Sequence, residues 1–432
     1  MSPVVSRAAK RIAAQLTTGR TVNRAHGQPG ELRLGQPQTR KSVMNSSAVI
    51  VDVIRTPSGR GKPGGSLSGV HPVDLLATTL RALVERNGVD PATIDDVIGG
   101  CVAQAGKQTY NVTRNAVLGA GFPDHVPAVT IDRQCGSSQQ AAVFAAQGIM
   151  TGNYDIAIAC GVESMSSNPI GYSIMGEDIY GEQVAARYPD GLVGQGISAE
   201  LITSKWGFSR AQLDDFAARS HQLAAEAAVG GYFANELIAV GDVTTDETVR
   251  PATTAEGLAG LKPAFYTERF AERFPEIGWN ITPGNSSPLT DAAAATLIMS
   301  ESKAVELGLK PRARFHSFAV TGSDPLFMLT GVIPATAKVL KKAGLTIDDI
   351  DAFEVNEAFA PVPLAWLAET GADATKLNPR GGAIALGHAL GASGARLLAT
   401  MVNHLEATGG RYGLQVMCEG GGMANATIIE RL

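Results

Sequence analysis

The chain has 432 residues, 44% hydrophobic and 18% charged. That composition excludes a largely disordered chain, and the length suits two or three domains. The formal charge of −5 is uneven: residues 1–43 carry eight Lys or Arg against the single acid Glu31, so +7 there leaves −12 elsewhere, too acidic for broad binding to a nucleic-acid backbone.

Residues 1–44 are rich in Arg, Ser, Thr and Gln. They read as a disordered extension, with an organellar transit peptide as the alternative. From Ala48 the chain turns globular. Ala48–Ile54 reads as a buried strand, closed by Thr56-Pro57 and a glycine-rich loop. Pro72–Asn87 has helical spacing, Val97–Cys101 is a second strand, and Ala128–Ile131 a third. Gly136–Met150 is small and apolar almost all round, which predicts a buried helix. Tyr154–Cys160 is a further strand. Strands alternating with helices indicate an α/β fold with a largely parallel core sheet. Residues 166–284 read as an insertion of loops, aromatics and charges, with one amphipathic helix at Ser209–Ala228. Regular patterning resumes near Thr290.

The sequence repeats itself. Ile94-Asp-Asp-Val-Ile98 is echoed by Ile347-Asp-Asp-Ile-Asp351, and 41 residues beyond each start stand Cys135 and His388. Each then opens a stretch rich in Gly, Ala and Ser. Two related halves would place Cys135 and His388 at equivalent points.

No run approaches 18 apolar residues, so no membrane span is expected. The four cysteines form no CxxC pair, which argues against zinc and for thiols in a reducing compartment. Cys101 and Cys160 end apolar strands and read as inert. Cys135 lies in Asp132-Arg-Gln-Cys-Gly-Ser-Ser-Gln139, at a predicted helix N-terminus. The helix dipole there lowers a thiol pKa, so Cys135 is a candidate nucleophile. His388 sits among glycines and can accept a proton or meet an oxyanion; by itself it better suits a satisfied core histidine. Cys418, before three glycines, can serve as acid or base, or simply end a strand. Asn356 and Glu357 can position a water or a histidine, or start a helix. Gly284–Asp291 can hold a polar ligand arm, or cap a following helix.

Four blocks taken together resemble the thiolases, the acetyl-CoA C-acyltransferases. They are Asp132-Arg-Gln-Cys135-Gly-Ser-Ser, Asn356-Glu-Ala-Phe359, Gly381-Gly-Ala-Ile-Ala-Leu-Gly-His388 and Cys418-Glu-Gly-Gly-Gly422. The resemblance runs from Ala48 to Leu432. It implies an α/β fold of two duplicated βαβαβαββ halves in an α/β/α/β/α arrangement, with an inserted loop domain. The first half would take 45–165 and 285–313, the loop domain 166–284, and the second half 314–432. It implies CoA-dependent cleavage of 3-oxoacyl-CoA through an acyl-cysteine on Cys135, with Cys418 as acid/base. His388 would activate Cys135 and, with a water held by Asn356, form one oxyanion hole. The N–H groups of Cys135 and Gly420 would form the other. Ser287 would meet the pantetheine arm and Arg210 the nucleotide end of CoA. No bound cofactor or metal is implied, CoA being a substrate.

The resemblance also implies a homodimer or homotetramer. Cytoplasm is the default location, with the mitochondrial matrix if residues 1–43 are a transit peptide. Three departures stand out: Ala389 replaces the usual proline, Met423-Ala424-Asn425 follow the glycines, and Gly194-Gln-Gly replaces the His-Met-Gly of short-chain biosynthetic thiolases. The first two leave every reacting group in place; the third, with the Arg133–Gln140 run and Asp324–Leu329, favours breakdown of fatty-acid or steroid side chains over short-chain biosynthesis. A ketoacyl synthase is disfavoured by the Cys418 block, and a non-catalytic acyl-CoA or sterol carrier by the presence of both Cys135 and His388.

Overall fold

The computed structural model describes residues Ser47–Leu432; the expectation for residues 1–44 lies outside them. Ten strands form the sheet: β1 (Ala48–Arg55), β2 (Gly59–Arg60), β3 (Asp96–Gly100), β4 (Ala128–Ile131), β5 (Ile156–Ser164), β6 (Thr290–Ser300), β7 (Ala313–Gly322), β8 (Ala352–Val355), β9 (Tyr412–Glu419) and β10 (Met423–Arg431). Their order is β4-β3-β5-β6-β1-β7-β10-β9-β8, with β2 beside β6. The main helices are α1 (Pro72–Asn87), α2 (Val112–Gly119), α3 (Ser137–Met150), α4 (Gln195–Trp206), α5 (Arg210–Val229), α6 (Val332–Ala343), α7 (Pro361–Thr370) and α8 (Ser393–Thr408).

The order is a near-palindrome. The run β3-β5-β6-β1 of one half meets β7-β10-β9-β8 of the other along a short seam, where Val49 and Ile50 pair with Arg314 and Ala313. α3 and α8 pack on each other and on strands of both halves, while α1 covers the outside of one half and α6 the outside of the other. The result is a layered α/β/α/β/α molecule, with apolar cores on both faces of each half-sheet.

The duplication is real, but its register differs from the sequence expectation. β3 and β8, α3 and α8, and β5 and β9 begin at 96 and 352, 137 and 393, 156 and 412: a constant offset of 256. Equivalent aspartates seal it. Asp95 Oδ2 accepts from the N–H groups of Asp155 and Ile156 at 2.7 and 3.0 Å. Asp351 Oδ2 accepts from those of Arg411 and Tyr412 at 2.6 and 3.0 Å. In this register Cys135 matches Gly391, and His388 stands three residues earlier. The Ile-Asp-Asp echo misleads because Ile94 closes one 3₁₀ turn whereas Ile347 opens the other.

The sheet is mixed rather than largely parallel. Only β3–β4, β3–β5 and β8–β9 run parallel; the other pairs are antiparallel. Helices cover both faces, so antiparallel strands such as β6 are buried at every residue. In sequence they look like parallel ones.

Residues 165–289 hold none of the ten strands but two long helices, α4 and α5. α5 begins with a capping box: Ser209 and Gln212 bond each other's backbone N–H groups. α4 escaped the sequence reading because Gly196–Thr203 is buried without interruption, which erases any amphipathic period. The polar stretch Gly284–Asp291 leads into β6 rather than a helix, so its capping alternative is removed.

Candidate active site

Cys135 and Asn356 stand just beyond the carboxyl ends of β4 and β8, Cys418 lies near the carboxyl end of β9, and His388 lies in the loop before α8; the carboxyl ends of strands are where sites gather in α/β sheets. The chain leaves β4 into a tight loop: Asp132 Oδ1 accepts from the Gln134 N–H at 2.6 Å, and Gln134 takes a φ of +48°. A non-glycine residue held there is strained, a feature that recurs at functional sites. The Ser137 hydroxyl donates to the Gln134 carbonyl at 2.6 Å. Cys135 is thereby held immediately before α3, buried in a cluster with Leu397 and Met417.

Asn356 follows β8. The expectation that it might start a helix fails, since the next helix begins at Pro361. Its amide instead joins two candidates from different elements. Asn356 Nδ2 lies 3.4 Å from His388 Nε2 and 3.8 Å from Cys418 Sγ, so each of its hydrogens has one acceptor. Its Oδ1 is buried with no partner among the described residues.

His388 is fixed from two sides. Its backbone N–H donates to Thr290 Oγ1 at 3.0 Å. Gly387 just before it has a φ of +85°, and a side chain there would strike Thr290. Its Nδ1 lies 2.6 Å from Ser393 Oγ, while that hydroxyl donates to the Ala389 carbonyl at 2.8 Å. The hydroxyl therefore accepts from Nδ1–H. The proton sits on Nδ1, and Nε2 presents its lone pair towards Asn356.

The electrostatics are those of a dry, neutral site. Burial, with help from the Arg396 charge, pushes His388 down to about 3, so its ring is neutral at physiological pH. Burial pushes Cys418 up to about 12, opposed by the Asn356 hydrogen bond. Burial also raises Cys135, Cys418 and Glu419 raise it further, and a hydrogen bond from the Gln195 side chain opposes them. Desolvation therefore opposes the lowering of the Cys135 pKa expected of the helix dipole and favours the neutral thiol.

Gly420 opens the glycine turn after β9, and a methyl there would stand 2.9 Å from Gln134 Oε1, so the turn touches the Cys135 loop. The Ser287 hydroxyl, half-buried, bonds the Ala358 carbonyl at 3.1 Å, beside the Asn356 loop. Arg210 is occupied: it bonds Asp214 at 2.6 Å and the carbonyls of Leu258 and Leu261 at 2.7 and 3.1 Å. It ties the start of α5 to the neighbouring loop, which argues against the nucleotide contact expected of it. Glu357 does not reach the reacting groups either. It gathers Ser220, Asn378 and the Ile384 N–H, and so anchors the loop that leads to His388. Sequence reasoning missed Ser393, Thr290 and Gln195. Ser393 alone left a signal, as a serine one turn into the glycine-rich stretch after His388. Among the described hydrogen bonds, none links Cys135 Sγ directly to His388.

Known proteins resemble the chain along most of its length. Residues 48–302 match the model of the thiolase N-terminal domain and 309–431 that of the thiolase C-terminal domain. The chain belongs to the thiolase family. It is 47% identical to a steroid 3-ketoacyl-CoA thiolase of Mycobacterium tuberculosis, over 92% of this chain and 98% of the relative. It is 44% identical to a 3-ketoacyl-CoA thiolase of Aliivibrio fischeri, over 89% and 99%. A crystal structure of an acetyl-CoA acetyltransferase from Bacillus anthracis superposes with a TM-score of 0.80 at 37% identity, covering 90% of this chain and all of that one. As a thiolase, the chain is an acyltransferase. Among the described residues no group of His, Cys, Asp and Glu is arranged to hold a metal, and no helix is long and apolar enough to cross a membrane.

Proposed function

We propose that the protein cleaves 3-oxoacyl-CoA with CoA, giving acetyl-CoA and a shortened acyl-CoA, in breakdown of fatty-acid or steroid side chains. The observation that carries the reading is the Asn356 amide, which binds His388 Nε2 and Cys418 Sγ together. Cys135 Sγ attacks the 3-keto carbon as its proton passes to the neutral His388 Nε2. The C2–C3 bond breaks and its electron pair leaves as the acetyl-CoA enolate. Cys418 S–H protonates that enolate, which is more basic than even a thiolate held at about 12. Incoming CoA–SH returns a proton to Cys418, and its sulfur attacks the acyl-Cys135 carbonyl. Acyl-CoA departs, and the imidazolium returns its proton to Cys135. His388 with a water on Asn356 forms one oxyanion hole, and the N–H groups of Cys135 and Gly420 form the other. The pantetheine arm passes Ser287, and residues 166–284 act as the loop domain that takes the rest of CoA. CoA is a substrate and no other cofactor takes part.

The names of the relatives above support the degradative role, and their bacterial sources a cytoplasmic one. The test is CoA-dependent loss of acetoacetyl-CoA against 3-oxodecanoyl-CoA or a bulkier substrate. Cleavage favouring the longer substrates, absent in Cys135→Ala, is expected; a folded wild-type protein inert to all of them sinks the reading.

A further inference from the structure

A buried guanidinium lies on the helix that follows the His388 loop. Arg396 lies one turn along α8 from Ser393, on the same face, and is buried. Its Nε, Nη1 and Nη2 have no hydrogen-bond partner among the described residues. Both carboxylate oxygens of the buried Glu354, on β8, are likewise without partners. Unmet groups of this kind are costly inside a protein and call for a bound partner.

The space for that partner is present. Arg396 and Ser393 line a small cavity of about 10 Å³ with Arg55, Thr56 and Ser58. That is near the lower limit for one water; the wall is largely alanine and glycine, but Arg396, Ser393, Arg55, Thr56 and Ser58 supply the polar groups that a bound water requires. Arg55 is already committed to Glu236, Asp246 and the Thr56 carbonyl. Arg396 is the wall's open donor. Ser393 Oγ accepts from His388 and donates to Ala389, which leaves one lone pair free.

We infer that Arg396 is a positioning residue for His388, acting through one water that accepts from its guanidinium and donates to Ser393 Oγ. This rests on the role given to His388 above. With that lone pair filled, the Ser393 proton stays on the Ala389 carbonyl and cannot turn towards Nδ1. The ring keeps its proton on Nδ1 and its lone pair on Nε2. The guanidinium charge also disfavours an imidazolium nearby. The other charged or titratable groups around ring and cavity are Arg55 on β1, Cys135 before α3, Glu163 on β5, which accepts from the Gly391 N–H, Glu354 on β8, Glu357 after it, Cys418 on β9, and Glu236 and Asp246, which bond Arg55.

The test follows CoA-dependent cleavage of acetoacetyl-CoA across pH in the full chain, with Arg396→Met, Arg396→Lys, Ser393→Ala and the Arg396→Met/Ser393→Ala double variant. Arg396→Met is expected to lower kcat about tenfold or more with KM little changed. It should also move the acid limb of the profile to higher pH, and Arg396→Lys should move the limb back. The double variant should be no slower than its slower parent, because both cut one relay. Effects that multiply, or an unmoved limb, overturn the relay. Should Arg396→Met not fold, Arg396→Met with Glu354→Leu removes both unpartnered buried polar side chains and takes its place in the same comparison. Nitrogen-15 NMR of the His388 ring decides the matter independently of turnover. The wild type should show a protonated Nδ1 and the Arg396 variant a mixture of tautomers; identical spectra overturn the inference. A wild type that cleaves nothing but shows the expected spectra would instead remove the reading of His388 as a catalytic group.

Discussion

Asn356 shows how a single amide can serve two reacting groups. It brings two N–H donors to a site where both acceptors, His388 Nε2 and Cys418 Sγ, are buried and uncharged. Removing it leaves both unmet and the developing oxyanion without its water. Asn356→Ala is expected to lower kcat by about 10²–10³ with a smaller change in KM, measured by steady-state cleavage of acetoacetyl-CoA. Cys135→Ala removes the acyl acceptor itself. Intact-mass spectrometry of the wild type with substrate and limiting CoA should show a single acyl adduct, and the variant none. Cys135, His388 and Cys418 were legible as candidates from their glycine-rich surroundings. Their protonation states were not, because those depend on desolvation by residues remote in sequence. His388 is neutral because the fold buries it and sets the Arg396 charge near it.

At the scale of elements, the site depends on how closely α3 and α8 approach, since α3 begins just after Cys135 and α8 just after the His388 loop. They meet where Gly394 passes over the backbone of Gln139, and a β-carbon on Gly394 would collide with the Gln139 N–H. Backbone cannot swing aside as a flexible side chain can. Gly394→Ala is therefore expected to cost about 1–3 kcal/mol or more, read as a fall in the urea midpoint at unchanged m-value. Helix α1 was readable to the residue, with proline at its start and a left-handed Gly88 at its end. Helix α4 was not, because its environment is buried on every side. The direction of the strands was hidden for the same reason.

The whole molecule carries charge inside it. Burial pushes Glu354 up to about 8, against the opposing pull of Arg396. A carboxyl raised in the folded state stabilises the fold below its unfolded pKa, and that contribution is lost as pH rises through its folded value. Glu354→Gln removes the loss. The unfolding free energy of the variant relative to wild type, from urea titrations, should climb steadily from pH 5 to pH 8, at up to about 1.4 kcal/mol per pH unit. A constant difference would mean that Glu354 ionises freely in the fold. At the other extreme of the molecule, β4 ends the sheet and pairs only with β3. Val129 on it is 41% exposed, as is Phe144 on α3. An open apolar edge of this kind invites pairing with a second copy. Sedimentation at micromolar concentration should give at least a dimer, and Val129→Lys should shift it towards monomer.

The sequence by itself carried the family and the duplicated plan, and it named Cys135, His388 and Cys418 as candidates. The family is legible because four short blocks occur together and in order; singly, a histidine among glycines or a cysteine near a glycine turn suits a structural role as well. Only the tertiary structure decided which of them touch. It set the two halves 256 residues apart, matching Cys135 with Gly391 instead of His388. It occupied Arg210 with Asp214, turned Glu357 into an anchor, and gave His388 its tautomer through Ser393. The physical reason is the reach of each force. Backbone propensity and apolar periodicity act within a few residues and leave their trace in sequence order. Desolvation and hydrogen-bond pairing act across a few ångströms, between residues the chain separates by hundreds.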